Sequence, residues 1–173
     1  MRQAIVRRDY EAVLATAKRE FSGEFIRDES DRVRAFERCI ALLWDAFKNQ
    51  HLSWIGFYDK VVGTDEMVLV CREPKPACSP IGLHGMCGRG WMEKRAIVIQ
   101  DIRTLGENYI ACDPKDTSEL VVPVMNADGT CRGVLDADSF EIAGFDEHDA
   151  EEMSRLLELT GASAPIPRPS MRL

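Results

Sequence analysis

The chain has 173 residues, of which 22 are Lys or Arg and 29 are Asp or Glu, so its formal net charge is −7. This length suits one domain with an ordinary hydrophobic core. The acidic balance argues against nucleic acid and anionic membrane surfaces as partners, because both need a positive footprint. No apolar run approaches the roughly 20 residues that span a bilayer. Charged residues interrupt the start of the chain, which favours a cytoplasmic protein.

Two amphipathic helices are predicted near the start of the chain, at about 9–20 and 30–48. The apolar residues of the second helix fall on one stripe, formed by Val33, Phe36, Ile40, Leu43, Trp44 and Phe47. Cys39 lies near this stripe and is interpreted as a core thiol.

From residue 53 the apolar pattern changes from helical to alternating, which predicts strands. The predicted strands are 53–60, 66–72, 95–102, 119–126 and 131–140. A closing helix follows, capped by Asp146 and ended by Gly161. The sequence therefore predicts one α+β domain with a mainly antiparallel sheet.

This predicted domain spans 1–160, with N-terminal helices at about 9–48 and a sheet-bearing body at about 53–160. The tail, 161–173, carries three prolines at alternate positions. Such a segment packs poorly and is predicted to be disordered.

Two carboxylates share one face of the last predicted strand. With a period of two, Asp136 and Asp138 project together, whereas Leu135 and Ala137 face the other side. Glu119, at the start of the neighbouring strand, adds a third acid. The pattern fits a solvent-facing edge. It also fits a pocket floor, where neighbouring like charges raise each other's pKa until a proton or a cation is held.

Six cysteines are present, without any CxxC pair. This spacing argues against structural zinc, and a reducing compartment argues against a disulfide framework. Cys71 and Cys131 fall in or beside strands and are interpreted as structural. Cys112 ends an apolar segment and opens a loop, where it is either an ordinary half-buried thiol or a reactive one.

Glycines crowd the segment 75–95, which matches neither a P-loop nor a dinucleotide fingerprint. Cys87 falls at or near the start of a predicted helix, where free N–H groups and the helix dipole favour a thiolate or hold a ligand carboxylate. A plain connecting loop is the alternative. Cys78 lies upstream, also outside predicted regular structure, and His84 is interpreted as a loop histidine rather than a metal ligand.

Two aromatic side chains share one face of the first predicted strand. Trp54, Gly56 and Tyr58 face one side, and Ile55 and Phe57 face the other. The two aromatics either fill the core or form the wall of an apolar slot.

Several segments, taken in chain order, resemble the free methionine-(R)-sulfoxide reductases, which are small enzymes with a GAF fold. They are SWIGFY, PAC…GMCG, IACDPKDTSE, GVLDADS and FDEHD, and the resemblance covers about residues 36–157. One stretch departs from the family pattern. Here ACSPIGLHGMCG is one residue shorter than the usual ACxRIPxGxGVCG and lacks the Arg and the Ile-Pro.

The resemblance implies a GAF-like α+β fold and assigns roles to three cysteines. Cys112 looks like the attacking cysteine of the family, Cys78 like its principal resolving cysteine, and Cys87 like a second helper.

The resemblance also implies a substrate pocket. Glu119, Asp136 and Asp138 match the acidic substrate-binding positions of the family. Trp54 and Tyr58 match the aromatic wall that receives the methyl-sulfoxide end of the substrate.

The implied reaction is reduction of free L-methionine (R)-S-oxide to methionine. It passes through a cysteine sulfenic acid and an intramolecular disulfide, which a thioredoxin-like reductant recycles. It needs no metal and no bound organic cofactor, and the resemblance suggests a homodimer. The alternative function is a non-catalytic GAF module that binds a small molecule or senses oxidants through its thiols.

Overall fold

The computed structural model describes residues 7–22, 26–106, 109 and 112–173. The remaining residues of the predicted domain 1–160 lie outside the described ranges. Within the described ranges, the helices are α1 (Glu11–Glu20), α2 (Glu29–Phe47), α3 (Met86–Glu93) and α4 (Glu147–Leu159). The strands are β1 (Trp54–Lys60), β2 (Glu66–Glu73), β3 (Ile81–Gly82), β4 (Ile97–Ile99), β5 (Ser118–Met125), β6 (Cys131–Ser139) and β7 (Met171–Arg172).

The described strands form one sheet in the order β3-β2-β1-β6-β5-β4-β7. Neighbouring strands pair antiparallel except β4 and β7, which run parallel. The two predicted hairpins, β1-β2 and β5-β6, lie in the middle of this sheet. The predicted α+β class with a mainly antiparallel sheet is confirmed.

The two faces of the sheet bury different cores because side chains alternate along each strand. One face packs against α1, α2 and α4, and there Phe57 stacks on Phe36 with ring centroids 4.2 Å apart. The opposite face carries Trp54, Tyr58 and Val134, which pack with residues of α3. The predicted split between the two faces of β1 is confirmed.

Side-chain capping fixes the starts of α2 and α4. The side chain of Asp28 accepts a hydrogen bond from the backbone N–H of Asp31 at the start of α2. Asp146 and Asp149 form a reciprocal capping box at the start of α4. Gly161, with a φ of +71°, follows the end of α4 in the left-handed conformation that favours glycine. None of the helices in the described ranges has both the length and the apolar character that a membrane crossing demands.

The C-terminal segment 161–173 differs from the predicted disordered tail. Met171 donates its backbone N–H to Ala96 over 2.8 Å, and Leu173 donates to Val98 over 2.9 Å. Both residues follow the last proline, so their N–H groups are free to extend the sheet at β4. The prediction of disorder is therefore wrong for this segment, because the open edge of β4 supplies backbone partners that composition does not reveal.

Candidate active site

A pocket opens on the face of the sheet that carries Trp54 and Tyr58. Its cavity volume is about 30 Å³, and the space between its walls reaches about 470 Å³ when the open solvent at its mouth is included. It is lined by aromatic and apolar side chains, two cysteines and four carboxylates, namely Trp54, Tyr58, Ala77, Ile81, Met86, Cys87, Tyr109, Cys112, Asp116, Glu119, Asp136 and Asp138. Lysine, arginine and histidine are absent from this described lining, so the pocket is strongly acidic.

The acidic floor follows from the pairing of β5 with β6. Glu119 lies directly opposite Asp138, and Asp136 lies two residues before Asp138 on the same face. Glu119 is 6% exposed and Asp136 is 9% exposed, whereas Asp138 is half-buried. Among the described residues, Oδ1 of Asp136 is buried without a hydrogen-bond partner. The strand pattern therefore places these acids in a pocket rather than at a solvent-facing edge.

These carboxylates retain protons to unusually high pH. Burial first, and then the charge of Asp138, raise the pKa of Glu119 to about 8. Burial and the neighbouring Glu119 raise the pKa of Asp136 well above its ordinary value. Burial and Asp136 do the same to the pKa of Asp138. Burial and mutual repulsion thus favour protonated acids, and a bound cation would favour their ionised forms.

Sequence reasoning missed two groups that line the same pocket. Asp116 accepts a hydrogen bond from the Ser53 hydroxyl over 3.3 Å. Burial, followed by the charge of Asp113, raises the pKa of Asp116 to about 6. Tyr109 also lines the pocket. Both residues lie close to Cys112 and Glu119 in the sequence. This closeness is the signal from which their place in the pocket could have been predicted.

The aromatic wall depends on a glycine between its two rings. A Cβ atom at Gly56 would lie 2.3 Å from the indole of Trp54, so this ring packs across the glycine backbone. The rings of Trp54 and Tyr58 lie 6.1 Å apart between centroids. Both are buried, and both line the pocket. The two aromatics are therefore buried side chains that also line a pocket with an acidic floor.

The polar ends of these aromatics hold the segment that carries Cys78. The indole N–H of Trp54 donates to the carbonyl of Lys75 over 2.9 Å. The Tyr58 hydroxyl donates to the carbonyl of Cys78 over 2.8 Å. An ion pair between Lys75 and Asp113 then links this segment to the loop that carries Cys112.

Cys112 and Cys78 lie together at the rim of the pocket. Both residues are exposed, and Cys112 lines the pocket. Burial of its sulfur, and then the neighbouring Cys78 thiol, raise the pKa of Cys112 to about 12. The structure therefore brings these two cysteines together despite the shorter segment between Cys78 and Cys87. Ile110 and Ala111, which precede Cys112 in the predicted segment, lie outside the described residues.

Cys87 occupies the second position of α3 and is buried at the floor of the pocket. Burial, followed by the charges of Asp136 and Glu119, raises its pKa well above the ordinary thiol value. The expectation that the helix start would favour a thiolate is therefore wrong for Cys87. Desolvation and two nearby acids outweigh the helix dipole, which contributes only about 1 kcal/mol.

The three remaining cysteines lie away from the pocket lining. Cys39 is fully buried and lies 3.2 Å from the Thr160 hydroxyl, in agreement with the predicted core thiol. Cys71 and Cys131 are half-buried on β2 and β6. Burial raises their pKa values to about 12 and about 11, which fits the predicted structural thiols.

Comparison with known proteins identifies the family. The GAF domain family matches residues 29–163. A free methionine-R-sulfoxide reductase from Saccharomyces cerevisiae is 32% identical over 127 residues, which are 71% of this chain and 70% of the yeast protein. This chain is a GAF-domain protein of the free methionine-(R)-sulfoxide reductase family.

Two solved structures of this reductase family have the same fold. The Neisseria meningitidis free methionine-R-sulfoxide reductase in complex with its substrate is 34% identical and has a TM-score of 0.76, with 89% of each chain covered. The fRMsr of Staphylococcus aureus in complex with substrate is 27% identical and also has a TM-score of 0.76. The match covers 94% of this chain and 100% of the Staphylococcus aureus chain.

Proposed function

We propose that this protein reduces free methionine (R)-sulfoxide to methionine, with Cys112 as the attacking cysteine. One observation carries the proposal, which is that Cys112 and the carboxylates of Glu119, Asp136 and Asp138 line the same pocket. Related proteins that carry the name free methionine-R-sulfoxide reductase support it, as does the neisserial structure with bound substrate.

In this proposal the acidic floor binds the α-ammonium group of the free amino acid. A peptide-embedded methionine sulfoxide presents a neutral amide at this position and cannot neutralise the acids. With such a substrate the acids keep their protons, and the loss of the buried ion pair that an ammonium group would form costs about 3–5 kcal/mol. This cost corresponds to a preference of about a hundredfold or more for the free amino acid.

The methyl-sulfoxide end then lies against Trp54 and Tyr58. An apolar wall suits the methyl group and the side-chain methylenes. With the ammonium group held at the floor, this orientation directs the sulfoxide sulfur towards Cys112 at the rim.

The chemical step requires a proton at the sulfoxide oxygen. The thiol proton of Cys112 passes to a carboxylate of the floor, and a protonated carboxyl there donates to the oxygen. The Cys112 sulfur attacks the sulfoxide sulfur. The substrate S–O bond then breaks, and the oxygen is transferred to Cys112. The products are methionine and a Cys112 sulfenic acid, so the substrate gains two electrons and the cysteine loses two.

Substrate binding also favours the reactive form of Cys112. Burial and the neighbouring Cys78 thiol raise the pKa of Cys112 to about 12. The positive charge of a bound ammonium group balances the negative charge of the nearby carboxylates. The same positive charge stabilises the Cys112 thiolate. The thiolate thus becomes accessible when substrate is present.

A disulfide closes the cycle. The Cys78 sulfur attacks the sulfenic sulfur, a Cys112–Cys78 bond forms, and the oxygen leaves as water. Cys87 is the second helper in this scheme. Thioredoxin or a similar dithiol then reduces the disulfide by exchange. A cytoplasmic location and a homodimer remain predictions from the sequence.

A coupled assay with free methionine-(R)-sulfoxide, thioredoxin, its reductase and NADPH tests the proposal. The wild-type protein and Cys131→Ser are expected to turn over, whereas Cys112→Ser is expected to lose turnover and still bind methionine. Cys131 is the matched control because it lies away from the described pocket lining. Tight methionine binding without turnover in the wild type would instead identify a non-catalytic binding module.

A further inference from the structure

Three donor groups from three different elements converge at the pocket floor. They are the sulfur of Cys87 on α3, a carboxylate oxygen of Glu119 on β5 and one of Asp136 on β6. These atoms all lie within 4.8 Å of one another, and all three residues are buried. Such a set combines a soft sulfur with two hard oxygens.

A second observation concerns an unpartnered polar atom at this position. Asp136 is 9% exposed, and although its carboxyl meets Cys87 and Glu119 through side-chain hydrogen bonds, its Oδ1 atom has no partner among the described residues. A buried polar atom without a partner is costly and calls for one. The described pocket lining offers four carboxylates and no lysine, arginine or histidine to supply a positive charge.

We propose that the reduced pocket binds a thiophilic divalent cation of the zinc class through Cys87 Sγ and the carboxylates of Glu119 and Asp136. Zinc is held by cysteine, histidine and carboxylate donors, and a fourth position remains for water from the open pocket. Sulfur selects zinc, cobalt or cadmium over magnesium and calcium, which prefer oxygen alone.

Binding is a proton-for-metal exchange at the three donor groups. The S–H bond of Cys87 and the O–H bonds of protonated Glu119 and Asp136 break, their protons pass to water, and one sulfur–metal and two oxygen–metal bonds form without any change in oxidation state. A tetrahedral zinc site with metal–ligand bonds of about 2.0–2.3 Å places its donors roughly 3.5 Å apart. Donor atoms that lie as much as 4.8 Å apart reach this spacing by small side-chain rotations.

Metal binding has a consequence for activity that rests on the proposed function. The cation occupies the place assigned to the α-ammonium group, so metal and free methionine exclude each other. The metal takes no part in the reaction, and its effect is inhibition of substrate binding.

Cobalt titration of the reduced, metal-free full-length protein tests the site directly. Co²⁺ is expected to bind with a sulfur-to-cobalt charge-transfer band in the near ultraviolet, and Zn²⁺ is expected to remove the band by displacement. Cys87→Ser and Cys87→Ala are expected to lose this band. Glu119→Gln is expected to weaken Co²⁺ binding at least tenfold, and the control Cys131→Ser is expected to keep wild-type binding.

Two results would overturn the site. One is a wild-type protein without the band, and the other is a band that persists when Cys87 is replaced in a folded variant. Loss of the band in Cys112→Ser but not in Cys87→Ser would place the metal at the Cys78–Cys112 pair. This result would also overturn the proposed site. Circular dichroism establishes that each variant is folded.

Competition with methionine separates this proposal from the proposed function. If free methionine lowers the Co²⁺ affinity after the free Co²⁺ concentration is corrected for the cobalt that methionine itself chelates, both the metal site and the place of the ammonium group are supported. If the Cys87-dependent band forms and methionine leaves it unchanged, the metal site is supported and the assigned ammonium position is wrong.

Discussion

The Tyr58 hydroxyl donates a 2.8 Å hydrogen bond to the carbonyl oxygen of Cys78. One side chain of the pocket wall thus holds the backbone of the segment that carries the proposed resolving cysteine. This bond makes the position of Cys78 dependent on β1, which is in the middle of the sheet.

Tyr58→Phe is expected to slow formation of the Cys112–Cys78 disulfide several-fold, because the Cys78 backbone loses its anchor. The free energy of unfolding is expected to fall by about 1 kcal/mol, the usual contribution of one hydrogen bond. Mass spectrometry after one equivalent of substrate, with a sulfenic-acid trap, measures the disulfide and the trapped intermediate.

Tyr10→Phe is the matched control for this prediction. It removes a buried hydroxyl that donates to Asp149 over 2.7 Å, far from the pocket. It is expected to lower stability without changing disulfide formation. Equal disulfide rates in wild type and Tyr58→Phe would show that this hydrogen bond does not position Cys78.

Glu119→Gln and Asp138→Asn are expected to reduce selectivity for the free amino acid. Each variant removes a charge that the α-ammonium group would neutralise, so kcat/KM for free methionine sulfoxide is expected to fall about a hundredfold. The rate with a peptide-embedded sulfoxide is expected to remain unchanged or rise. Glu141→Gln, which alters an exposed acid, serves as the control. Equal losses on both substrates would contradict the assigned role.

The stability of the ligand-free protein is expected to fall as the pH rises from about 4.5 to about 8. Burial raises the pKa of Glu119 from 4.5 to about 8, so the folded state holds a proton that the unfolded chain releases. Each unit of such a shift corresponds to about 1.4 kcal/mol of unfolding free energy. Urea unfolding at several pH values measures this slope.

Two comparisons isolate the contribution of Glu119 to this slope. Glu119→Gln and saturating methionine are each expected to flatten it, because one removes the titrating group and the other supplies a counter-charge. A slope that is unchanged in Glu119→Gln would assign the pH dependence to other groups.

Deletion of residues 170–173 is expected to destabilise the fold by about 1–3 kcal/mol. It removes the hydrogen bonds that Met171 and Leu173 donate to β4, each contributing about 1 kcal/mol. Arg172→Ala is the control, since it removes only the exposed ion pair with Glu147. Thermal unfolding measures both. Identical melting temperatures for the deletion and the wild type would show that β7 contributes nothing.

The sequence predicted the elements that arise from local alternation and capping. The period of two along β1 correctly separated Trp54 and Tyr58 from Ile55 and Phe57, because steric alternation is a property of the strand itself. The cap at Asp146 was likewise readable, since its hydrogen bonds are made within one turn. The family resemblance pointed to the pocket residues.

Tertiary structure decided the remaining properties of the site. The closeness of Cys78 to Cys112, and the entry of Asp116 into the pocket, depend on how separate loops pack. The raised pKa of Cys87 on α3 depends on burial beside acids from two strands, β5 and β6. The C-terminal segment became β7 because β4 had an open edge. Local sequence encodes backbone preference, whereas desolvation and contact between distant segments exist only once the chain has folded.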